Sequence, residues 1–260
     1  MPESKNRIKI ARSFGDASQS YDVSARLQRF TGKHLLPWLP EKEDLTILDL
    51  GCGTGFFSEL LSSRYQRVLG ADISLKMLKY AQDKRSTRIN WAQADAFKLP
   101  YQTNSIDVVY SNLMVQWCEP LSKAFEEIMR IIKPGGLFVF STLVDGTLHE
   151  LKSSWKQVDD DKHVIDFHTE NELNTIVNTA FSKKIKHQCK DIVLEYENVM
   201  HLATELKGLG ANQVPKKVNK GLAGKDKWQK MTQCYQDFQE PSGIYPATYR
   251  VYSAVISKLG

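Results

Sequence analysis

Cysteine is scarce in this chain and never paired in sequence. The four residues Cys52, Cys118, Cys189 and Cys234 form no Cys-x-x-Cys couple. That argues against a zinc site and against a disulfide framework, and it suits a reducing, cytoplasmic setting. No metal is expected. Long apolar runs are missing too: none approaches the ~20 residues needed to span a bilayer, so no membrane role is expected. The opening MPESKNRIKIARSFGD has no apolar core of a secretory signal. There is no internal repeat, no low-complexity segment and no Gly-Lys-Ser/Thr, which excludes a P-loop.

What remains is ordinary globular material: 260 residues, 42% hydrophobic, enough for one domain or one domain with a sizeable insertion. The charge is uneven. Lys207, Lys216, Lys217, Lys220, Lys225, Lys227 and Lys230 face a single acid, Asp226, within Lys207–Lys230, while the rest of the chain is close to neutral. Such a block is either a solvated face or a docking surface for an acidic partner. Aromatics are not interleaved with these lysines, so nucleic acid is not expected.

From residue 45 onward strand and helix signals alternate. Thr46-Ile-Leu-Asp-Leu, Arg67-Val-Leu-Gly-Ala-Asp, Ile89-Asn-Trp-Ala-Gln-Ala, Ile106-Asp-Val-Val-Tyr-Ser and Leu137-Phe-Val-Phe-Ser predict five strands. Between them, Phe56, Phe57, Leu60 and Leu61 predict one helical face, and Leu121, Ala124, Phe125, Ile128, Met129 and Ile132 another. Pro120 suits the first turn of that second helix, and Pro134-Gly-Gly suits its end. Ser74 is an N-cap candidate, and Thr169 to Glu172 matches a capping box. Strands near His187–Tyr196 and from Tyr249 complete the pattern. The predicted fold is α/β, a doubly wound, mostly parallel seven-stranded sheet with helical lid insertions. Residues 1–44 are expected to form a helical lid, with Ile8, Ile10, Phe14, Tyr21, Leu27 and Phe30 lying over the ligand edge. Residues 45–143 form the α/β core. Residues 144–260 complete the sheet, with capping insertions at about 144–168 and 197–245.

The chemistry sits at strand ends. The first strand runs into DLGCGTG, residues 49–55, whose glycines let the backbone turn tightly and approach a ligand. A dinucleotide fingerprint wants its third glycine at 56, where Phe56 stands. A loop without a phosphate partner suits S-adenosylmethionine (SAM), which carries a methionine in place of pyrophosphate. Asp72, closing the second strand, can accept from both ribose hydroxyls. Asp95, after the third, can accept from the adenine amine while the Ala96 N–H reaches a ring nitrogen. Each signal alone is weak; three at consecutive strand ends, on the edge where open α/β sheets bind ligands, are not.

In order and spacing, DLGCGTG, GADIS, QADAFKLP, DVVYSNLMVQW and IIKPGGLFVFST resemble class I SAM-dependent methyltransferases over residues 45–143. Beyond that core, IARSFGDASQSYDVSARLQ, STLVDGTLHELKSSWKQVD, LKGLGANQV with GLAG, and YPATYRVYSAVISK resemble the malonyl-acyl-carrier-protein O-methyltransferase family of biotin biosynthesis. This likeness covers almost the whole chain. It implies SAM binding by Asp49, Gly51, Cys52, Gly53 and Gly55 of the loop, by Asp72 and Ile73, by Asp95 and Ala96, and by Asn112. It also implies methyl transfer to the free carboxylate of a malonyl thioester on acyl carrier protein, giving the methyl ester that primes the pimelate moiety. An acidic carrier gives the lysine block a partner. The lack of an evident general base fits a nucleophile ionised near ~4. Tyr21 and Trp117 are the candidates for positioning the acceptor, with Gln116, Arg250 and His149 behind them. Two other readings share the core: a class I methyltransferase for a quinone or another small acceptor, and a SAM-binding or carrier-docking protein without turnover.

Overall fold

Three α-helices and a short 3-10 turn (Leu36–Trp38) precede the first strand among the described residues: α1 (Pro2–Asp16), α2 (Ser18–Ser24) and α3 (Arg26–Leu35). The computed structural model describes residues 2–181, 185–210 and 222–259. The alternating core follows as β1 (Thr46–Leu50), α4 (Phe56–Ser62), β2 (Arg67–Asp72), α5 (Leu75–Lys84), β3 (Asn90–Gln93), β4 (Ile106–Asn112), α6 (Leu121–Ile131) and β5 (Ile132–Leu143). Then come α7 (His149–Lys156), α8 (Glu170–Phe181), β6 (Ile185–Tyr196), α9 (Val199–Gly208), α10 (Leu222–Tyr235) and β7 (Tyr245–Ser257).

The seven strands form one sheet in the order β3-β2-β1-β4-β5-β7-β6. The first five pair in parallel, and β7 runs antiparallel between β5 and β6. Alternate residues of the central strands point to opposite faces, and both faces are covered. Leu48, Leu50, Val109, Phe138 and Phe140 join Leu121, Phe125, Ile128 and Phe181 of α6 and α8. Ile47, Val108, Tyr110 and Val139 join Leu35, Phe57 and Leu61 on the other side. Strand order reverses between β1 and β4, which opens a crevice at the carboxyl ends of these strands.

The expected local signals recur with corrections. Ser74 caps α5, accepting from the Met77 N–H at 3.5 Å. Thr169 and Glu172 form the reciprocal capping box, at 2.8 Å and 3.2 Å. Pro120 stands before Leu121 as the N-cap of α6, outside its first turn. Pro134-Gly-Gly lies inside β5, because that strand already begins at Ile132, paired with Ile106 of β4. Leu60 turns outward on α4, where Ser58 and Ser62 take the buried positions beside Phe57 and Leu61. Ile8 and Phe30 are more than half exposed, so neither covers the ligand edge.

A third apolar cluster holds the caps together. Leu27 of α3 and Leu151 of α7 pack with Leu202 of α9, Met231 and Tyr235 of α10, and Tyr249 of β7. The C-terminal end of α9 is tied to the first two helices: Ser20 Oγ donates to Gly208 O (2.9 Å) and Ser13 Oγ to Gly210 O (2.7 Å). α10 carries only a faint sequence signal, its stripe of Trp228, Met231 and Tyr235 being narrow and set among lysines.

Candidate functional site at the carboxyl ends of the strands

β1 ends at Leu50 and the chain turns at once, with the N–H groups of Gly51 and Cys52 both donating to Ala71 O at 2.8 Å and 3.0 Å. Gly51 has φ +75°, and a Cβ there would lie 2.3 Å from Met114 Cγ. Gly55 has φ +74° and opens α4; its absent Cβ leaves room for the Trp91 ring, which would otherwise be 2.5 Å away. Asp72 is held at the end of β2 by two backbone donors, Gly53 N–H to Oδ2 (2.9 Å) and Ser74 N–H to Oδ1 (2.8 Å). Burial pushes its pKa up, opposed by these backbone bonds. Each carboxylate oxygen keeps a lone pair for a further donor.

A cavity above this loop brings together Gly51, Gly53, Asp72, Ile73, Asp95, Ala96 and Asn112 with Tyr21 and Trp117. Asp49 and Cys52 line a smaller adjoining hollow, which Tyr21, Gly51, Gly53 and Asn112 also border. Gly55 borders neither. Asp49 is buried, accepts from Ser58 Oγ at 2.6 Å, and has its pKa pushed up to about 7 by desolvation. Burial raises the Cys52 thiol well above its ordinary value. Sequence reasoning missed Arg7, Met77, Phe97 and Met114 in the lining, and knew Phe14 only as a lid residue. Arg7 reaches back from α1, its guanidinium 4.5 Å from the Phe97 ring centre and 3.2 Å from Asp95 Oδ2.

Phe14, Tyr21 and Trp117 stand between this cavity and a second one of about 270 Å³. Phe14 meets Trp117 edge-on at 5.3 Å and Tyr21 at 6.4 Å. Leu27, Leu113, Leu148, Leu151, Val164 and Leu206 give the second cavity an apolar wall, which Gln28, Gln116, Lys162 and His163 interrupt. The Tyr21 phenol has its pKa raised by burial and by Asp72, Asp22 and Asp49 nearby, so it stays protonated. Gln116 is already engaged at both ends, donating to Leu113 O (2.7 Å) and accepting from Thr142 Oγ1 (3.1 Å). Arg250 and His149 border neither cavity. Arg250 lies 3.5 Å from Glu170, and His149 is half-exposed beside Glu150.

Of the lysine stretch, Lys216, Lys217 and Lys220 lie outside the described residues. Lys207, Lys225 and Lys230 are exposed and have no ion-pair partner among the described residues. Lys227 is committed to Asp159 at 2.6 Å. Among the described residues no group of three His, Cys, Asp or Glu stands ready for a metal, and no helix is long and apolar enough to cross a membrane.

A family model described as a methyltransferase domain matches residues 48–140. The chain is 34% identical to the malonyl-[acyl-carrier protein] O-methyltransferase of Pectobacterium atrosepticum, over 98% of this chain and 98% of that protein. It is 37% identical to the biotin biosynthesis bifunctional protein BioHC of Cellvibrio japonicus, over 97% of this chain but only 50% of that protein. The chain therefore spans about half the length of the bifunctional relative. The solved YcgJ protein of Bacillus subtilis superposes with a TM-score of 0.62 at 16% identity, covering 89% of this chain and 99% of that one, which speaks for the fold.

Proposed function

The chain belongs to the malonyl-[acyl-carrier protein] O-methyltransferase family, and on that premise we propose that it methylates the free carboxylate of a malonyl thioester on acyl carrier protein, with SAM as donor. The resulting ester has lost its charge, so enzymes that extend apolar acyl chains can use it to build the pimelate moiety of biotin. The observation that carries this reading is the meeting of two cavities at Tyr21 and Trp117, one on the glycine loop and one with an aliphatic wall.

The donor set of the first cavity fits SAM. The oriented Asp72 carboxylate suits two ribose hydroxyls, and Asp95 with the Ala96 N–H suits an adenine edge. The N–H groups of Gly51 and Gly53 are committed to Ala71 O and Asp72, which leaves their carbonyl oxygens to the ammonium of a methionine moiety, and Asp49, Cys52, Ile73 and Asn112 complete the surround. SAM supplies an electrophilic methyl on a sulfonium. Tyr21, Trp117 and Phe14 line the cavity with aromatic rings, whose faces favour a positive charge. Methyl transfer to the malonyl oxygen would leave the C–S electron pair on the donor's sulfur, and Tyr21 and Trp117, which line both cavities, would hold the two reactants side by side. No proton moves, so no general base is required; the residues have only to align the carboxylate and exclude water.

The test is turnover of labelled SAM with malonyl-carrier protein, malonyl-coenzyme A and a carrier-free control, followed by mass analysis of the acyl group. A methyl ester on the carrier-bound malonyl group is expected. The aliphatic wall of the second cavity also favours a quinone or another small apolar acceptor, and label moving only to such a compound would replace the malonyl reading.

A further inference from the structure

We propose that Gln28 receives the acceptor's free carboxylate, donating its side-chain amide to one carboxylate oxygen while Tyr21 donates its hydroxyl to the other. The inference rests on the methyl-transfer reading above and deepens it by naming a residue for the acceptor.

Gln28 stands on α3 where the second cavity meets the hollow beside the glycine loop, and it lines both, as Tyr21 does. Its backbone is fixed there. Gln28 O accepts from Asn112 Nδ2 (2.8 Å). Asn112 Oδ1 accepts in turn from Thr31 Oγ1 and from Ser141 Oγ, both at 2.8 Å. This net anchors α3 to the carboxyl ends of β4 and β5, so the side chain projects from a rigid base into the region of transfer.

The side chain itself is uncommitted. Gln28 Oε1 is buried and finds no hydrogen-bond partner among the described residues. A buried amide oxygen without a partner weakens the folded state, and such an atom calls for an explanation that a bound ligand supplies. Half a turn about the terminal torsion exchanges Oε1 for Nε2, so the same position can present a donor. The Tyr21 hydroxyl likewise has no partner among the described residues. Its neighbours around the cavity are spoken for: Gln116 at both ends, Glu205 by Arg26 and Tyr196, His163 by Asp159.

The chemistry favours this pair over a cation. The substrate is an anion and the product a neutral ester. Neutral donors bond strongly to the carboxylate, because the acceptor is charged, and weakly to the ester, so the product is released. A guanidinium would hold the anion more tightly and draw electron density from the attacking oxygen. With one donor on each oxygen, a lone pair of the attacking oxygen stays free to line up with the methyl carbon.

The experiment uses the full chain, SAM and malonyl thioester on acyl carrier protein, with Gln28→Leu and Gln28→Glu compared to the unaltered protein. Gln28→Leu is expected to lower kcat/KM for the malonyl thioester at least tenfold while the SAM dissociation constant, read by calorimetry, stays within about twofold. Gln28→Glu sets a like charge against the substrate. It is expected to fall further at pH 8 and to recover as pH drops and the new carboxyl protonates, a response that a purely structural role would not produce. Turnover by Gln28→Leu equal to the unaltered protein, or losses matched by equal losses of SAM affinity, would overturn the assignment and leave the methyl-transfer reading standing. If Gln28→Leu does not fold, the pH response of Gln28→Glu decides alone. Failure of the unaltered protein to methylate malonyl thioester would overturn both readings.

Discussion

The Asp22 carboxylate joins Thr54 Oγ1 and Arg85 Nη2, each at 2.5 Å, and so ties α2 to the glycine loop beside Tyr21. Arg85 also reaches Thr54 O through Nε at 3.0 Å, which closes the link from α5 through the loop to the N-terminal helices. The Tyr21 ring comes within 4.0 Å of where a Cβ on Gly53 would sit. The position of the phenol is thus set by a bond its neighbour makes.

Removing that bond should therefore be felt in both stability and binding. Asp22 and Arg85 are 25% and 17% exposed, so Asp22→Ala strands a largely buried guanidinium. A loss of about 1–3 kcal/mol is expected, together with several-fold weaker SAM binding as α2 loosens. Thermal unfolding with and without SAM reads both. An unchanged melting temperature and unchanged SAM affinity would mean the clasp is only a solvated ion pair.

The Asp49 carboxyl gives stability a specific pH dependence. Burial raises it from 3.8 to about 7, and Asp72, raised by the same cause, acts in the same direction. Between those values the native state holds a proton that the unfolded chain has released. Stability then falls as pH climbs from about 4, and the fall is complete above about 7. Asn in place of Asp49 can still accept from Ser58 and carries no charge to desolvate. Asp49→Asn should gain on the unaltered protein steadily from pH 4 to pH 7 in unfolding temperature, and no further beyond. A difference that does not vary with pH would show that Asp49 ionises as it does in the unfolded chain.

What the sequence made legible is what short windows encode. A glycine that must take positive φ, a carboxylate closing a strand and an N-cap serine act within a few residues of themselves, so the loop at 49–55, Asp72 and Ser74 could be read directly. The site's other half is built across long separations. Phe14 meets Trp117, Arg7 meets Asp95, and Gln28 hangs from Asn112. None of these pairs has a local signature, because each depends on how α1 and α3 fold back over the strand ends. Composition misled for a similar reason. Apolar Ile8 and Phe30 face outward, and Lys227 belongs to an internal pair with Asp159.

That pair sharpens the docking question. Lys225 and Lys230 on α10 are exposed without a partner among the described residues, and they flank the committed Lys227. Lys225→Glu combined with Lys230→Glu should raise KM for the carrier-bound substrate several-fold at low salt. SAM affinity should be untouched, and the effect should shrink as salt screens the attraction. Steady-state kinetics at two ionic strengths is the measurement. A double variant that handles the carrier like the unaltered protein at low salt would leave this face of α10 a solvated surface.

The nucleophile fixes the shape of the pH–rate profile. A malonyl carboxyl ionises near ~4, so with saturating substrates kcat should stay nearly flat from about pH 6 upward until an anchoring group or the fold titrates. Tyr21 will not be the first to go, since burial and the carboxylates of Asp72, Asp22 and Asp49 hold its proton above the ordinary tyrosine range. A phenol or amine acceptor behaves differently, its rate climbing through neutral or alkaline pH as a base removes its proton. Tyr21→Phe keeps the ring beside Trp117 and deletes one donor, so it should lower kcat about tenfold or more with the flat profile retained and SAM binding little changed. A profile rising tenfold per unit around pH 7 to 8, with chemistry shown to be rate-limiting, would reject the carboxylate nucleophile. A fully active Tyr21→Phe enzyme would reject only the part given to that hydroxyl, since the flat profile comes from the substrate and not from the residue that holds it.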